Sequence, residues 1–534
     1  MHNDGLVYSK IIDCLFESKQ IISTSPWMCN THKSICDVDS RMCEPMQLAI
    51  VGRISSSKST LVNAILGKAE VVRTGHEAET FNVSWLKYGD DQDPIIVHFK
   101  SGKSIAIERS EWAQWATHVG QEAMKAEVKY IEVPTSYEML KYINIIDTPG
   151  LDATSKVDSE NTIEFLKTVN PDAVILMFSK SLSEDTLKLI SEFQNTESNI
   201  SFSLNPMNAL GVLSKADLNW DVMSDKDPIS ASEAAIKRTL SCRSDVNKAL
   251  FRILPVSALM GLSSYMITDQ DKVSLEQLAK LDNKSLVRLF ISPESFVKEW
   301  DFIEVTNEKR EKLLQKIGLY GTYTCVQAIQ TNDGITLPEL SQLLRRRSGF
   351  DAFIKLVVSH FGDRAQLIKA QRGVIQILDS INKDRANADS QEKLNVVNAV
   401  YSKVGSIQND LHELKEWSLL LRIYEGKLNV DEDFMREFLR ISGEFGHSAI
   451  SKLNTDEDAD ISHMIKVARM RYNHWKTEYN TWYGLSPLKA EPYSVIAKSY
   501  ELLVTRLQEQ KEKYDKALRE ISIYNHYIYG KDTL

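Results

Sequence analysis

Leu48 to Leu66 reads LAIVGRISSSKSTLVNAIL. Leu48 to Val51 are consecutive apolar residues, enough for a short buried strand. Gly52 opens a turn that continues through Ser55, Ser56 and Ser57, and Lys58, Ser59 and Thr60 follow it. Leu61, Val62, Ile65 and Leu66 then recur at helical spacing. Strand, small-residue loop, Lys-Ser and helix is the layout of a phosphate-binding P-loop. Its chemistry is that of a helix N-terminus. Backbone N–H groups converge on one spot, the helix dipole adds positive charge, and a lysine completes the cage. In the pattern G-x-x-x-x-G-K-[ST], Gly52, Lys58 and Ser59 match, and Ser57 stands where the second glycine belongs. A Cβ there crowds the phosphates or strains the turn.

A P-loop predicts further parts in a fixed order. Thr80 precedes the strand-like run FNVSWLKYG, where a loop threonine reaches Mg²⁺ and the γ-phosphate. With Ser59 at the end of the P-loop and Asp147 it forms the expected metal set. Asp147 ends the apolar run Ile143–Ile146 and begins Asp147-Thr148-Pro149-Gly150. A carboxylate there holds Mg²⁺, and the Gly150 N–H bonds the γ-phosphate. Leu210 to Leu213 runs into Ser214-Lys215-Ala216-Asp217, close to the base-reading pattern [NT]-K-x-D. A carboxylate accepts hydrogen bonds from N1–H and N2–H₂ of guanine, a pair that adenine lacks, and the Lys215 stem covers the base. Ser257-Ala258, after Phe251–Val256, supplies a backbone N–H for guanine O6. Leu151 follows Gly150 where small GTPases carry a water-orienting glutamine, so hydrolysis needs another source of catalysis.

The 534-residue chain is longer than one core organises. From Met46 to about Leu262, short apolar runs alternate with amphipathic stretches, which predicts an α/β P-loop domain with a mainly parallel sheet. After Gly261 the pattern becomes helical, with breaks at Ser348-Gly349 and at Gly484 to Pro492. Val397, Val400, Val404, Ile407, Leu411 and Leu414 alternate steps of three and four, the seam of one long helix. Ile496, Tyr500, Leu503, Leu507, Tyr514 and Ile521 mark another. The second half is an elongated helical bundle. At the N-terminus, Gly5 to Ile22 is helical and Ser23 to Pro45 reads as a linker. Net charge of -9 excludes a general nucleic-acid binder. No membrane-length apolar run and no export signal are visible, so a cytoplasmic protein with peripheral membrane contact is expected. The six cysteines are expected to be free thiols, and Cys29, His32, Cys36 and Cys43 fit no standard zinc spacing.

GRISSSKSTLVNAILG, Thr80 with FNVSWLKYG, IEVPTSYEMLKYINIIDTPGLDA and LSKADL resemble the GTPase part of the dynamin superfamily, in its bacterial branch. LLQKIGLYGTYTCVQAI and LRRRSGFDAFIKLVVSHFGDRAQLIKAQRGV are similar to the neck of isoniazid-inducible bacterial dynamin-like proteins. The resemblance implies a GTPase head at 46–270, an N-terminal helix and linker at 1–45 that joins a neck at 271–390, and a helical trunk at 391–534. It implies GTP/GDP and Mg²⁺ as ligands, with K⁺ or Na⁺ placed by Ser55, and catalysis by Ser55, Lys58 and Thr80. Heads would pair head to head, with a second copy or a paired dynamin-like chain, on the inner face of a membrane. Ile54 replaces the glutamine of eukaryotic dynamins. A mechanoenzyme that remodels or protects membranes and a nucleotide-gated scaffold with little turnover are both compatible. A ribosome- or RNA-associated GTPase is disfavoured by the acidic balance. Trp482, Tyr483, Leu485, Pro487, Leu488, Lys489 and Tyr493 form an aromatic break that suits a lipid interface or a packed turn. Arg345-Arg346-Arg347 would solvate a helix end.

Overall fold

The computed structural model describes residues 2–53, 56–68, 82–116, 127–150, 171–179, 205–224, 226–332, 334–446 and 448–529. They form two units, Cys43–Gly362 and Met1–Met42 with Asp363–Leu534.

The first unit holds a nine-stranded sheet among its described residues. Its strands are β1 (Met46–Gly52), β2 (Ser84–Tyr88), β3 (Ile95–Phe99), β4 (Ser104–Ile107), β5 (Val128–Thr135), β6 (Ile143–Asp147), β7 (Ala173–Ser179), β8 (Ala209–Ser214) and β9 (Ile253–Val256). The order is β4-β3-β5-β2-β6-β1-β7-β8-β9. From β6 through β9 every neighbour is parallel. These strands are covered on both faces, which is why they read as unbroken apolar runs. On the other side β2 runs antiparallel to β6 and parallel to β5, and β3 and β4 form an antiparallel extension. Neither β4 nor β5 stood out in the sequence. In β5 the buried Val128, Ile131, Val133 and Thr135 are interrupted by Lys129, Tyr130, Glu132 and Pro134.

Register lines up the strand ends. Ile50 lies opposite Asp147, Gly52 opposite Met177, and Ser179 opposite Ser214, which in turn faces Val256. The P-loop, the DTPG turn, the SKAD turn and Ser257-Ala258 therefore leave the same edge, where open α/β sheets bind ligands.

After β9 every described element is helical. Helices Asp269–Ala279 to Leu337–Arg347 pack around Leu275, Leu289, Phe296, Leu313 and Leu340 in the same unit as the sheet. Their starts are capped by Asp282, Ser292 and Thr306 and by the Thr268–Asp271 capping box. The chain turns at Ser348-Gly349, where the sequence broke. Arg345, in the basic triplet, pairs with Asp351, and Arg347 lies 3.9 Å from Asp227.

In the second unit, the helix His2–Ile22 packs on Ala365–Arg385 and Gln391–Asp410. The stretch Ser23 to Pro45, expected as a linker, contains a helix, Cys29–Cys43. Thr31, Ile35, Val38 and Met42 form its buried stripe. Its Ser, Asn, Asp and Cys residues occupy the outer face, so composition concealed the period. Cys29, Cys36 and Cys43 are exposed on this helix and form no disulfide, and no described residues group as a metal site. Val38 lies against Gly373, where a Cβ would meet it at 2.5 Å, so the two helices approach closely. The Val397–Leu414 seam is buried throughout but spans two helices. Leu411, in an extended conformation, separates Gln391–Asp410 from His412–Tyr424. Ile461–Leu485 and Pro487–Tyr529 form a hairpin that turns at Ser486. Trp482 stacks on Tyr493 at 6.0 Å, Lys489 lies 5.9 Å over Trp482, and Tyr483 and Leu485 are exposed. Only the Leu488 side chain of this group lies outside the described residues. No described helix is long and apolar enough to cross a membrane.

The Cys29–Cys43 helix starts on a buried carboxylate. Asp384 accepts hydrogen bonds from the Thr31 N–H (2.8 Å), the Thr31 hydroxyl (2.7 Å) and Asn30 Nδ2 (2.7 Å). Asp384→Ala would strand these donors and is expected to cost about 2–4 kcal/mol, read as a lowered urea midpoint of this unit.

Candidate nucleotide-binding site

Gly52 ends β1 against β7. A Cβ there would sit 2.7 Å from the Met177 carbonyl and 2.9 Å from Ser56 Oγ, so the strand closes on its neighbour only as glycine. Ser56 is fully buried and its hydroxyl has no partner. Ser57 caps the helix Lys58–Leu66 with φ 62° and ψ 31°, the left-handed conformation. That explains the glycine of the usual pattern, since a side chain in this region is strained. The side chain of Ser57 makes no capping bond in return.

Lys58 is buried and folds back over the loop. Its Nζ donates to the carbonyls of Gly52 and Arg53, each at 3.1 Å. Ser59 Oγ donates to Asp147 Oδ2 at 3.1 Å. Asp147 is fully buried and its Oδ1 has no partner. Burial pushes its carboxyl up to about 6, against the Lys58 charge and the Ser59 hydrogen bond. A half-satisfied buried carboxylate beside a hydroxyl and an ammonium fits a hard divalent cation with oxygen ligands. Thr148 Oγ1 donates to the Ile50 carbonyl at 2.9 Å and ties the DTPG turn to β1, and Gly150 is buried at its end. Thr60 is partly exposed in the first turn of the helix.

At the other end of the edge, Ser214 Oγ donates to the Phe178 carbonyl at 2.8 Å and ties β8 to β7. Lys215 turns the chain with φ 56°. Asp217 is buried, and burial pushes its carboxyl up despite a hydrogen bond from Ser257. Ser257 caps the helix Ala258–Met266, its Oγ accepting the Met260 N–H at 3.4 Å, so the SKAD turn and the Ser257-Ala258 turn meet through this hydroxyl. Ile54, Ser55, Thr80 and Leu151 lie outside the described residues. Gly318, Ser348 and Gly349, not singled out as site residues from sequence, pack against Asp217, Ser257 and Pro255. Their only signal was two glycines at helix breaks.

Two expectations follow. For Asp147 the folded pKa lies above the unfolded one, so folding takes up a proton between about pH 4 and 6. Stability from this group therefore falls as pH rises through that window and stays low above it. Asp147→Asn is expected to remove that slope and to stabilise the nucleotide-free protein by about 2–3 kcal/mol above pH 6, read in urea melts across pH. Ser57→Gly should gain about 0.5–1 kcal/mol, the relief of the left-handed backbone less the entropy of glycine.

Residues 48–216 match the Dynamin family. The chain is 22% identical over 449 residues to isoniazid-induced protein IniC of Mycobacterium tuberculosis, covering 83% of this chain and 87% of that one. It is 31% identical over 146 residues to dynamin-like protein 2 of Campylobacter jejuni, covering 27% of this chain and 23% of that one. A solved structure of an oligomerised bacterial dynamin pair aligns over 98% of this chain and 78% of its own at 17% identity. The TM-score of that alignment is 0.32. With the family match on its sheet and P-loop and the long alignment to a mycobacterial relative, residues 48–216 carry a Dynamin-family domain, and the chain is similar to a bacterial dynamin-like protein over most of its length.

Proposed function

We propose that this chain binds GTP and GDP with Mg²⁺ at the β1–β9 edge and hydrolyses GTP. The observation that carries the reading is the meeting of Ser59 and Asp147 at 3.1 Å with one carboxylate oxygen left over. Gly52 to Thr60 cradle the phosphates through N–H groups, and Lys58 exchanges its loop carbonyls for phosphate oxygens. Ser59, Asp147 and Thr80 hold the metal, which neutralises phosphate charge when bound. Gly150 senses the γ-phosphate. Asp217 reads the N1 and N2 edge of guanine, Lys215 covers its plane, Ser214 fixes the turn and Ser257-Ala258 reads O6. Ser55 with K⁺ or Na⁺, Lys58 and Thr80 supply catalysis in the absence of a glutamine at Leu151.

In this reading the heads pair across the nucleotide, with a second copy or a paired dynamin-like chain. Membrane contact is peripheral, at the inner face, through the hairpin turn where Tyr483 and Leu485 are exposed beside Lys489. The strained Ser57 favours a second reading, a nucleotide-gated scaffold with little turnover.

Steady-state GTP hydrolysis by the purified chain, with and without anionic liposomes and K⁺, tests this. Turnover that rises with lipid or protein concentration and is lost in Lys58→Ala is expected. Guanine-nucleotide binding without turnover would replace the enzyme by the scaffold, and no guanine-nucleotide binding would overturn both.

A further inference from the structure

We propose that two helix–helix elbows outside the matched segment 48–216 position the two base-reading turns, so that guanine discrimination depends on Gly318, Ser348 and Gly349. The proposal rests on the guanine-reading roles of Asp217 and Ser257-Ala258 given above.

The first elbow joins the helices Asn307–Ile317 and Leu319–Thr331. Gly318 adopts φ 81° and ψ 167°, a region that is essentially glycine's alone. The turn is pinned from one side, because its carbonyl accepts the Thr322 N–H at 3.0 Å and the Thr322 hydroxyl at 2.7 Å. On the other side it faces Asp217. A Cβ at Gly318 would stand 3.5 Å from Asp217 Oδ2 and 3.6 Å from Leu259 Cδ2. The carboxylate assigned to guanine thus lies beside a turn whose backbone conformation only glycine adopts without strain.

The second elbow joins Leu337–Arg347 and Phe350–Leu356. Fully buried Ser348 accepts the Ser257 N–H on its carbonyl at 2.8 Å. Its own hydroxyl donates to the Arg345 carbonyl at 2.7 Å and accepts the Phe350 N–H at 3.2 Å, which fixes the turn. Gly349 has φ 74°, and a Cβ there would meet the Pro255 carbonyl at 2.4 Å. The Phe350 side chain lies on Gly261 with no room for a Cβ, which would fall 3.0 Å from the ring. With its Ser257 N–H taken by Ser348, the base turn offers the Ala258 N–H to guanine O6. One elbow therefore sets the N1 and N2 side of the reader and the other sets the O6 side.

The Ser257–Ser348 contact is a backbone hydrogen bond, where shifts of a few tenths of an ångström decide whether a bond forms, and the two glycines hold the backbone close to Asp217 and Pro255. Packing and base binding are then linked in both directions: the elbows sharpen base reading, and a bound base tightens the elbows. Gly318, Ser348 and Gly349 act through Asp217 and Ser257-Ala258 as positioning residues.

The test is competition binding on the full chain with three guanine probes. Inosine diphosphate lacks only the N2 amine, 6-thio-GDP carries a poor acceptor in place of O6, and GDP is the reference. Gly349→Ala should lower the preference for GDP over 6-thio-GDP by about tenfold, the share of one hydrogen bond, and leave the GDP-to-IDP ratio unchanged. Gly318→Ala should do the reverse. Such ratios do not depend on the fraction of protein folded, so a merely structural role would leave both at wild-type values, and that result overturns the proposal. If either variant fails to fold, amide hydrogen exchange on the wild type decides. GDP should raise protection at Ser257 and in residues 348–353, and unchanged protection there contradicts the linkage. A wild type with no preference for GDP over ADP would instead remove the guanine reading itself.

Discussion

Asp147 carries a carboxylate that this fold has buried without satisfying it. One oxygen accepts the Ser59 hydroxyl, the other has no partner, and the carboxyl is pushed up to about 6 by burial. Such a group is costly in the middle of a sheet unless something cationic comes to it. The parallel register of β6 and β1 puts it there, and the Thr148 bond to Ile50 holds the turn that follows. Lys58, drawn back over the loop by Gly52 and Arg53, is the nearby permanent charge. The nucleotide edge is thus built with stability given up at one residue and returned when a metal and phosphates arrive.

The central strands were legible because burial on both faces forces an unbroken apolar sequence. Leu48–Val51, Ile143–Ile146, Ala173–Phe178 and Ala209–Leu213 all fall within strands of the structure. The antiparallel half was harder to see. β5 hides its buried side chains between Lys129, Tyr130 and Glu132, and β4 buries only Ile107. The helix Cys29–Cys43 escaped for a related reason. Four buried side chains suffice to dock it once Asp384 caps its start, so most of its length is free to look like a loop. Leu411 shows the opposite failure, where a seam of even period continues through a backbone break that leaves no mark in hydropathy.

The residue types Lys58, Ser59, Asp147 and Asp217 stood out in the sequence as candidates, and the fold brings Ser59 to Asp147 and Ser257 to Asp217. The strain at Ser57 followed from its place in the P-loop pattern, and the structure shows it as a left-handed turn. The Ser257 N–H donating to Ser348 could not be read, because it depends on segments that meet only in the fold. The two elbows illustrate the point most clearly. Gly318 and Gly349 look like ordinary helix ends in sequence, and only their neighbours, Asp217 and Pro255, connect them with the proposed base-reading turns.

The central claim is that the free oxygen of Asp147 awaits a divalent cation that arrives with the nucleotide. Calorimetric titration with a non-hydrolysable GTP analogue, with and without Mg²⁺, at pH 7.5 and pH 5, tests it most directly. At pH 7.5 Mg²⁺ should tighten binding at least about tenfold, and at pH 5, where Asp147 is protonated, most of that gain should disappear. Affinity at pH 7.5 that is the same with and without Mg²⁺ would contradict the account.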